Sequence, residues 1–166
     1  RLQKNNELLL LLRGLSFRYL RKYECAKEDF EEVLTNHLKK ELAYLGLGLT
    51  MSDLGNYPSA IKNFTEAIRL NPKYDGAYNN RGNANYYSDD NQNAIKDYTE
   101  AIRLNPKYIN AYNNRGLAKH DSEDYQDAIK DFDEVIKLNP KYDGAHYNRG
   151  RASITQMIIK MQSKTS

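Results

Sequence analysis

The chain has no tryptophan, one cysteine, four prolines and nine glycines in 166 residues. The lone Cys25 excludes an internal disulfide and fits a reducing compartment, so a cytoplasmic location is expected. There is no run of 18 apolar residues, so no transmembrane helix is predicted. The five leucines Leu8 to Leu12 are short for a signal-peptide core, and Glu7 stands where a basic flank would be. They read better as part of a buried helix. Charge is nearly balanced, with 25 basic and 22 acidic residues giving +3. That gives no reason to expect a nucleic-acid partner, whose affinity comes from clustered phosphate contacts. His37, His120 and His146 are scattered and carry no metal-ligand spacing. A glycine-rich phosphate loop is missing too. No catalytic residue, metal or cofactor is therefore expected, nor a membrane partner. The chain opens at Arg1 rather than Met, which reads as a fragment or a processed product.

What is present is periodic. Pro72, Pro106 and Pro140 stand 34 residues apart, as do Gly14, Gly48, Gly82, Gly116 and Gly150, and Ala26, Ala60, Ala94 and Ala128. Asp75–Tyr108 and Ile109–Tyr142 align without a gap, with 21 identities in 34 positions. A fixed period of this length marks a repeat architecture. The units are 7–40, 41–74, 75–108, 109–142 and a partial 143–166, read as one domain spanning 1–166.

Each unit reads as two helices, A and B. In the third, helix A covers about Ala77 to Ser88, and Asp89, Asp90 and Asn91 favour a turn. Helix B covers about Gln92 to Leu104, with Ala94, Ile95, Tyr98, Ala101 and Ile102 on one stripe. Asn105-Pro106 ends it, because the residue before proline is driven out of the helical region. Nothing alternates with period two, so no strands are predicted. A single helix pair cannot bury its apolar face alone, so neighbouring pairs must stack. Gly82 and Ala94 are expected where helices A and B cross closely. Cys25 is expected to pack inside the first unit.

The spacing of Tyr112, Gly116, Ala128, Phe132 and Pro140 resembles the tetratricopeptide repeat family. Tyr44, Gly48, Ala60, Phe64, Ala67 and Pro72 repeat the match, and the resemblance covers about residues 7 to 150. It implies an all-α, right-handed superhelical solenoid of antiparallel helix pairs, four full repeats plus a C-terminal helix. It also implies a concave groove lined by the A helices, and a protein or peptide partner. There are departures. Leu38 replaces the expected proline, Val33 a small residue, and Asn85 and Lys119 the usual aromatic at the eleventh position.

On the A helices, positions two, six, nine and thirteen share one face. They place Asn80, Asn83 and Tyr87, then Asn110, Asn114, Leu117 and Asp121, then Asn148 and Arg151, along the implied groove. Asn80, Asn114 and Asn148 form a ladder whose amides offer donors and acceptors to an extended peptide backbone. The ladder looks like that in the repeat domain of the glycosyltransferase that modifies intracellular Ser and Thr. Plain solvated polarity is the competing account. Towards the N-terminus the same face turns apolar, with Leu8, Leu12 and Leu15, then Leu42, Gly46 and Leu49, and Leu45 is placed along the groove beside them. That patch reads as half of a groove, as a homo-oligomer surface, or as packing. The apolar stripe Ile154, Ile158 and Met161 on the last helix, with Met157 beside it, also calls for a covering surface: a second molecule, a missing next repeat, or the chain's own groove if the helix bends back.

At the seventh position stand Arg13, Arg81 and Arg115, and sixteen residues later Asp29, Asp97 and Asp131. Leu47 faces Asn63 in the second unit, so both charges vanish together. Ion pairs bridging helices A and B are the expected reading, with anion recognition as the alternative. Arg149 aligns with Thr165 and has no evident partner. Tyr74, Tyr108 and Tyr142 are expected to pack at the joints between units. The lysines with which some members of the family clamp a chaperone C-terminus are missing from groove positions two and five. The expected function is a protein-interaction module holding an extended peptide or a partner helix. The alternatives are a targeting segment of a larger enzyme such as a glycosyltransferase, or a self-assembly scaffold.

Overall fold

The computed structural model describes residues 2–35 and 39–164, with side chains from residue 6 onward. His37, Leu38 and Thr165 lie outside the described residues. Among the described residues there are nine helices and no strand: α1 (Leu2–Tyr19), α2 (Tyr23–Thr35), α3 (Lys40–Asp53), α4 (Tyr57–Leu70), α5 (Asp75–Tyr86), α6 (Asn91–Leu104), α7 (Ile109–Asp121), α8 (Tyr125–Leu138) and α9 (Asp143–Gln162). Odd numbers are A helices and even numbers are B helices. Each helix packs on the next in sequence. Consecutive A helices also touch, whereas no B helix touches another among the described residues. The stack therefore curves with the A helices inside, which makes theirs the concave face.

The turns of the second, third and fourth units are built the same way, and the first shares their left-handed residue. Helix A ends on a residue with positive φ at the same register position: Arg21 (58°), Gly55 (72°), Asp89 (60°) and Glu123 (64°). This left-handed residue stops the helix and reverses the chain. The next residue caps helix B, since the side chains of Asn56, Asp90 and Asp124 accept from the backbone N–H three residues on. Asn91, expected in the turn, is thus the first residue of α6. Helix B ends at Asn71, Asn105 or Asn139, whose Oδ1 accepts from the N–H of Lys73, Lys107 or Lys141 at 3.2 Å. The following proline cannot extend the helix.

The core is a column of aromatics. Phe30, Phe64, Tyr98 and Phe132 are all almost completely buried, and each lies against the eighth-position glycine of its own unit. A Cβ on Gly14, Gly48, Gly82 or Gly116 would stand 2.5–2.8 Å from that ring. The glycines thus make room for an aromatic on helix B rather than for Ala94. Ala94 instead clusters with Tyr98 and with Ala118 on the next A helix. Small residues on helix B let the following unit approach. Truncating Phe64 to alanine would cost about 3–5 kcal/mol and open this column. Cys25 is exposed, not packed, because its neighbour Ala26 takes the inward position. Tyr74 lies half-buried against Ile68 and Ala77, at the joint between the second and third units.

Candidate functional site

Three clefts follow one another along the A helices. The first, of about 240 Å³, is lined by Leu8, Leu11, Leu12, Leu15, Leu42, Leu45 and Leu49, together with Phe30, Gly46 and Tyr74. The second, of about 260 Å³, begins at the same Leu49 and runs past Ser52, Asp53 and Tyr57 to Asn80, Asn83 and Tyr87. The third, of about 160 Å³, shares Asn83 and Tyr87 and ends at Tyr86, Tyr98, Asn114 and Leu117. Neighbouring clefts share lining residues, Leu49 between the first two and Asn83 with Tyr87 between the last two, so they lie in a row across α1, α3, α5 and α7. The N-terminal half of the row is apolar, and the C-terminal half carries amides and phenols.

The wall is held by rungs between neighbouring A helices. Arg18 Nε lies 2.6 Å from Asp53, and the Tyr86 hydroxyl donates to Asp121 at 2.6 Å. Both rungs link residues 35 apart, position twelve of one unit to position thirteen of the next. Burial first, and then the bond to Asp121, push the Tyr86 hydroxyl up to about 12. The Tyr98 hydroxyl, driven up mainly by burial, donates to Asn83 Oδ1 at 2.9 Å, and Asn114 Nδ2 donates to the same oxygen at 2.9 Å. Asn148 Nδ2 reaches Asn113 Oδ1 at 3.5 Å. Two rungs of the asparagine ladder therefore spend a donor inside the chain, and Asn114 Oδ1 also accepts from Asn113 Nδ2 at 3.4 Å. Asn80 has no such bond among those described and lines the second cleft. Tyr87 is 63% exposed and stacks on Tyr57, with ring centroids 5.6 Å apart. Asn110 and Arg151 are exposed, Asn148 is half-buried on α9, and none of these three lines the clefts.

The seventh-position arginines turn to the B helices instead. Arg81 and Arg115 each make two bonds to the carboxylate sixteen residues on, Asp97 and Asp131, at 2.6 and 2.9 Å. Arg13 holds Asp29 in the same way. Arg81 and Arg115 also donate to Thr65 and Thr99 on the preceding B helix at 3.1 Å and lie over Tyr78 and Tyr112. One guanidinium thus ties its own helix pair to the unit before. The polar departures at the eleventh position belong to the same cluster. Asn85 donates to Asp97 at 3.0 Å, and Lys119 Nζ lies 2.9 Å from Asp131. In the third and fourth units, though not in the first, which has Phe17 there, a polar eleventh residue accompanies the Arg–Asp pair in the sequence. Arg149, whose own unit has no described B helix, pairs instead with Asp133 of α8, where the other units have Thr65 and Thr99. Asn63, the uncharged counterpart in the second unit, bonds back to Ser59 O at 2.9 Å.

A curved stack of helix pairs with a groove along its A helices defines a helical repeat solenoid. Models of the tetratricopeptide repeat match residues 76–108 and 109–142, and a further TPR repeat model matches residues 48–89. The chain belongs to the tetratricopeptide repeat family. Among solved structures, a crystal structure of MamA is 26% identical, with a TM-score of 0.81 over 91% of this chain and 88% of that one. The first TPR of Spaghetti (RPAP3), bound to the HSP90 peptide SRMEEVD, is 26% identical, with a TM-score of 0.70 over 72% of this chain and 94% of that one. The second TPR domain of human RPAP3, in complex with the HSP70 peptide SGPTIEEVD, is 27% identical, with a TM-score of 0.62 over 64% and 88%. Among curated proteins, no significant match is found. The chain is accordingly a protein-interaction module. No described helix is long and apolar enough to cross a membrane.

Proposed function

We propose that the module, one domain of four full repeats and a final A helix, binds an extended peptide segment along the groove of α1, α3, α5 and α7 and carries out no chemistry of its own. The observation behind this reading is the row of three adjoining clefts, from the leucine cleft past Leu49 to Asn83 and Tyr87. An apolar side chain of the ligand enters the leucine end. Asn80 and Asn114 engage backbone N–H and C=O groups further on, and Asn148 continues the ladder on α9 just beyond the clefts, which reads chain direction more than sequence. Tyr87, stacked on Tyr57, offers a rigid aromatic surface of the kind that dominates binding energy. The peptide-bound RPAP3 structures support the mode but not the same ligand. Their peptides end in EEVD, whereas groove positions here hold Leu42, Leu45, Asn79, Asn110 and Asn113 in place of lysines. The partner we propose therefore has an apolar anchor rather than an acidic tail. The test is selection of binders from a random peptide library, followed by mapping of amide chemical shifts on the complex. Selected peptides should share one or two apolar residues and perturb α1, α3, α5 and α7. Selection of acidic C-terminal motifs, or perturbation confined to the B helices, would overturn the reading.

A further inference from the structure

On the side of the B helices, successive units carry the same cleft with different contents. Between α4 and α6 it measures about 300 Å³, and Thr65, Arg81 and Asp97 are in its lining. One unit earlier, between α2 and α4, it opens to about 680 Å³. There the same three register positions hold Glu31, Leu47 and Asn63. Leu47 takes the place of the arginine but not its space, since it is 6% exposed and joins the apolar core.

The groups that hold a guanidinium in the other units remain around this gap. Arg81 and Arg115 lie over Tyr78 and Tyr112, with 5.7 and 5.6 Å to the ring centroids. The residue in that register is Tyr44, which is half-buried and lines the larger cleft. Arg81 and Arg115 also reach the preceding B helix, at Thr65 and Thr99. In the last unit that position is Asp133, and Arg149 pairs with it at 2.5 Å. In the larger cleft it is Glu31, which makes no hydrogen bond or ion pair among the described residues. The other carboxylate of the lining, Glu66, is already paired with Arg69. Asn63 donates to Ser59 O and keeps Oδ1 as an acceptor.

We propose that this cleft receives an arginine side chain of a partner protein, which stacks on Tyr44 and pairs with Glu31. The chain thus takes from outside the guanidinium that its neighbouring units supply themselves. A planar, weakly hydrated guanidinium can meet a ring face and a carboxylate together, which an ammonium cannot do as well. Its methylenes lie against Leu47 and Met51. Lys62 at the rim does not close the site, because Lys96 lines the smaller cleft beside Arg81. Lys27 stands where the later units have Ile61, Ile95 and Ile129, and its charge opposes a basic run. The fitting segment therefore carries one arginine among neutral residues. Tyr44, Leu47 and Met51 use a different face of α3 from the groove residues Leu42, Leu45 and Leu49. The inference stands whether or not the groove binds peptides.

The test is a titration of the isotope-labelled chain, followed by amide chemical shifts, with the capped peptides Ac-Ala-Arg-Ala-amide and Ac-Ala-Lys-Ala-amide. The arginine peptide should shift amides of α2, α3 and α4 around the cleft and saturate with a Kd of about 1 mM. The lysine peptide should bind at least about fivefold more weakly. Glu31→Gln should weaken the arginine peptide about tenfold. Glu28→Gln, also exposed on α2 but outside the cleft lining, should leave its affinity unchanged. Both sites are exposed, so folding should persist, and the dispersion of the same spectra checks it. The proposal is overturned if no saturable shift appears up to about 20 mM peptide. It is equally overturned if the lysine peptide binds as tightly, if Glu31→Gln has no effect, or if Glu28→Gln weakens binding as much.

Discussion

Alanine placed at Gly82 and at Gly150 separates packing from helix propensity, because the two residues share a register position and differ only in what faces them. In a helix interior, glycine to alanine gains about 1 kcal/mol. At Gly150 a new Cβ meets nothing within 4 Å, so in dilute solution the gain should be realised in full. At Gly82 the new Cβ would stand 2.7 Å from the Tyr98 ring, which is 1% exposed and has no room to retreat. Overpacking of this kind costs about 1–3 kcal/mol. Gly82→Ala should thus be neutral or destabilising by up to about 2 kcal/mol, and Gly150→Ala stabilising by about 1. The difference between them isolates the clash. For a chain of this size each kcal/mol moves Tm by about 2–4 °C, so thermal or urea unfolding followed by circular dichroism resolves it. If both variants shift stability by the same amount in the same direction, the glycines do not exist to seat the aromatics.

Further predictions follow from the turns and the buried charges. Asp131→Asn leaves Arg115 and Lys119, each with a side chain 15% exposed, without their carboxylate; a loss of about 3 kcal/mol is expected in urea unfolding. Asp29→Asn should cost clearly less, since Arg13 is 57% exposed, and equal losses would argue against burial as the reason. Glu123, at φ 64°, pays the left-handed strain that Gly55 avoids, so Glu123→Gly should stabilise by about 1 kcal/mol and Gly55→Ala should do the opposite. The raised hydroxyls of Tyr86 and Tyr98 favour the protonated fold, so their stabilisation is full below the unfolded value near 10.0 and is lost as pH rises towards 12 and beyond. Absorbance titration should show late-ionising tyrosines coinciding with alkaline unfolding, and Tyr98→Phe should move that unfolding to higher pH.

The repeat was legible because the units share their punctuation: Asn-Pro-Lys at the end of helix B in the second, third and fourth, glycine in helix A and alanine in helix B. The partner of that glycine was not legible. The sequence offers both a small Ala94 and a bulky Tyr98 on the same stripe, and only the crossing geometry decides which one Gly82 meets. Cys25 was misplaced for a similar reason, since an apolar residue beside Ala26 has only one inward direction to share. Arg149 pairs with Asp133 because α9 packs on α8 without a B helix of its own, a condition its register alignment with Thr165 ignored. On the groove face the asparagines could be located by spacing. The Asn83–Asn114 and Tyr98–Asn83 bonds could not, because they join neighbouring helices whose approach depends on the curvature of the stack.

The central claim is that the groove of α1, α3, α5 and α7 holds a ligand partly through its asparagines. Its most direct test is calorimetric titration of one library-selected peptide into the unaltered chain and into the variant Asn80→Ala, Asn114→Ala, Asn148→Ala. Each amide bond to a ligand is worth about 1 kcal/mol, so affinity should fall by at least tenfold, with Tm changed by no more than a few degrees. Unchanged affinity in a variant that folds normally would contradict the account.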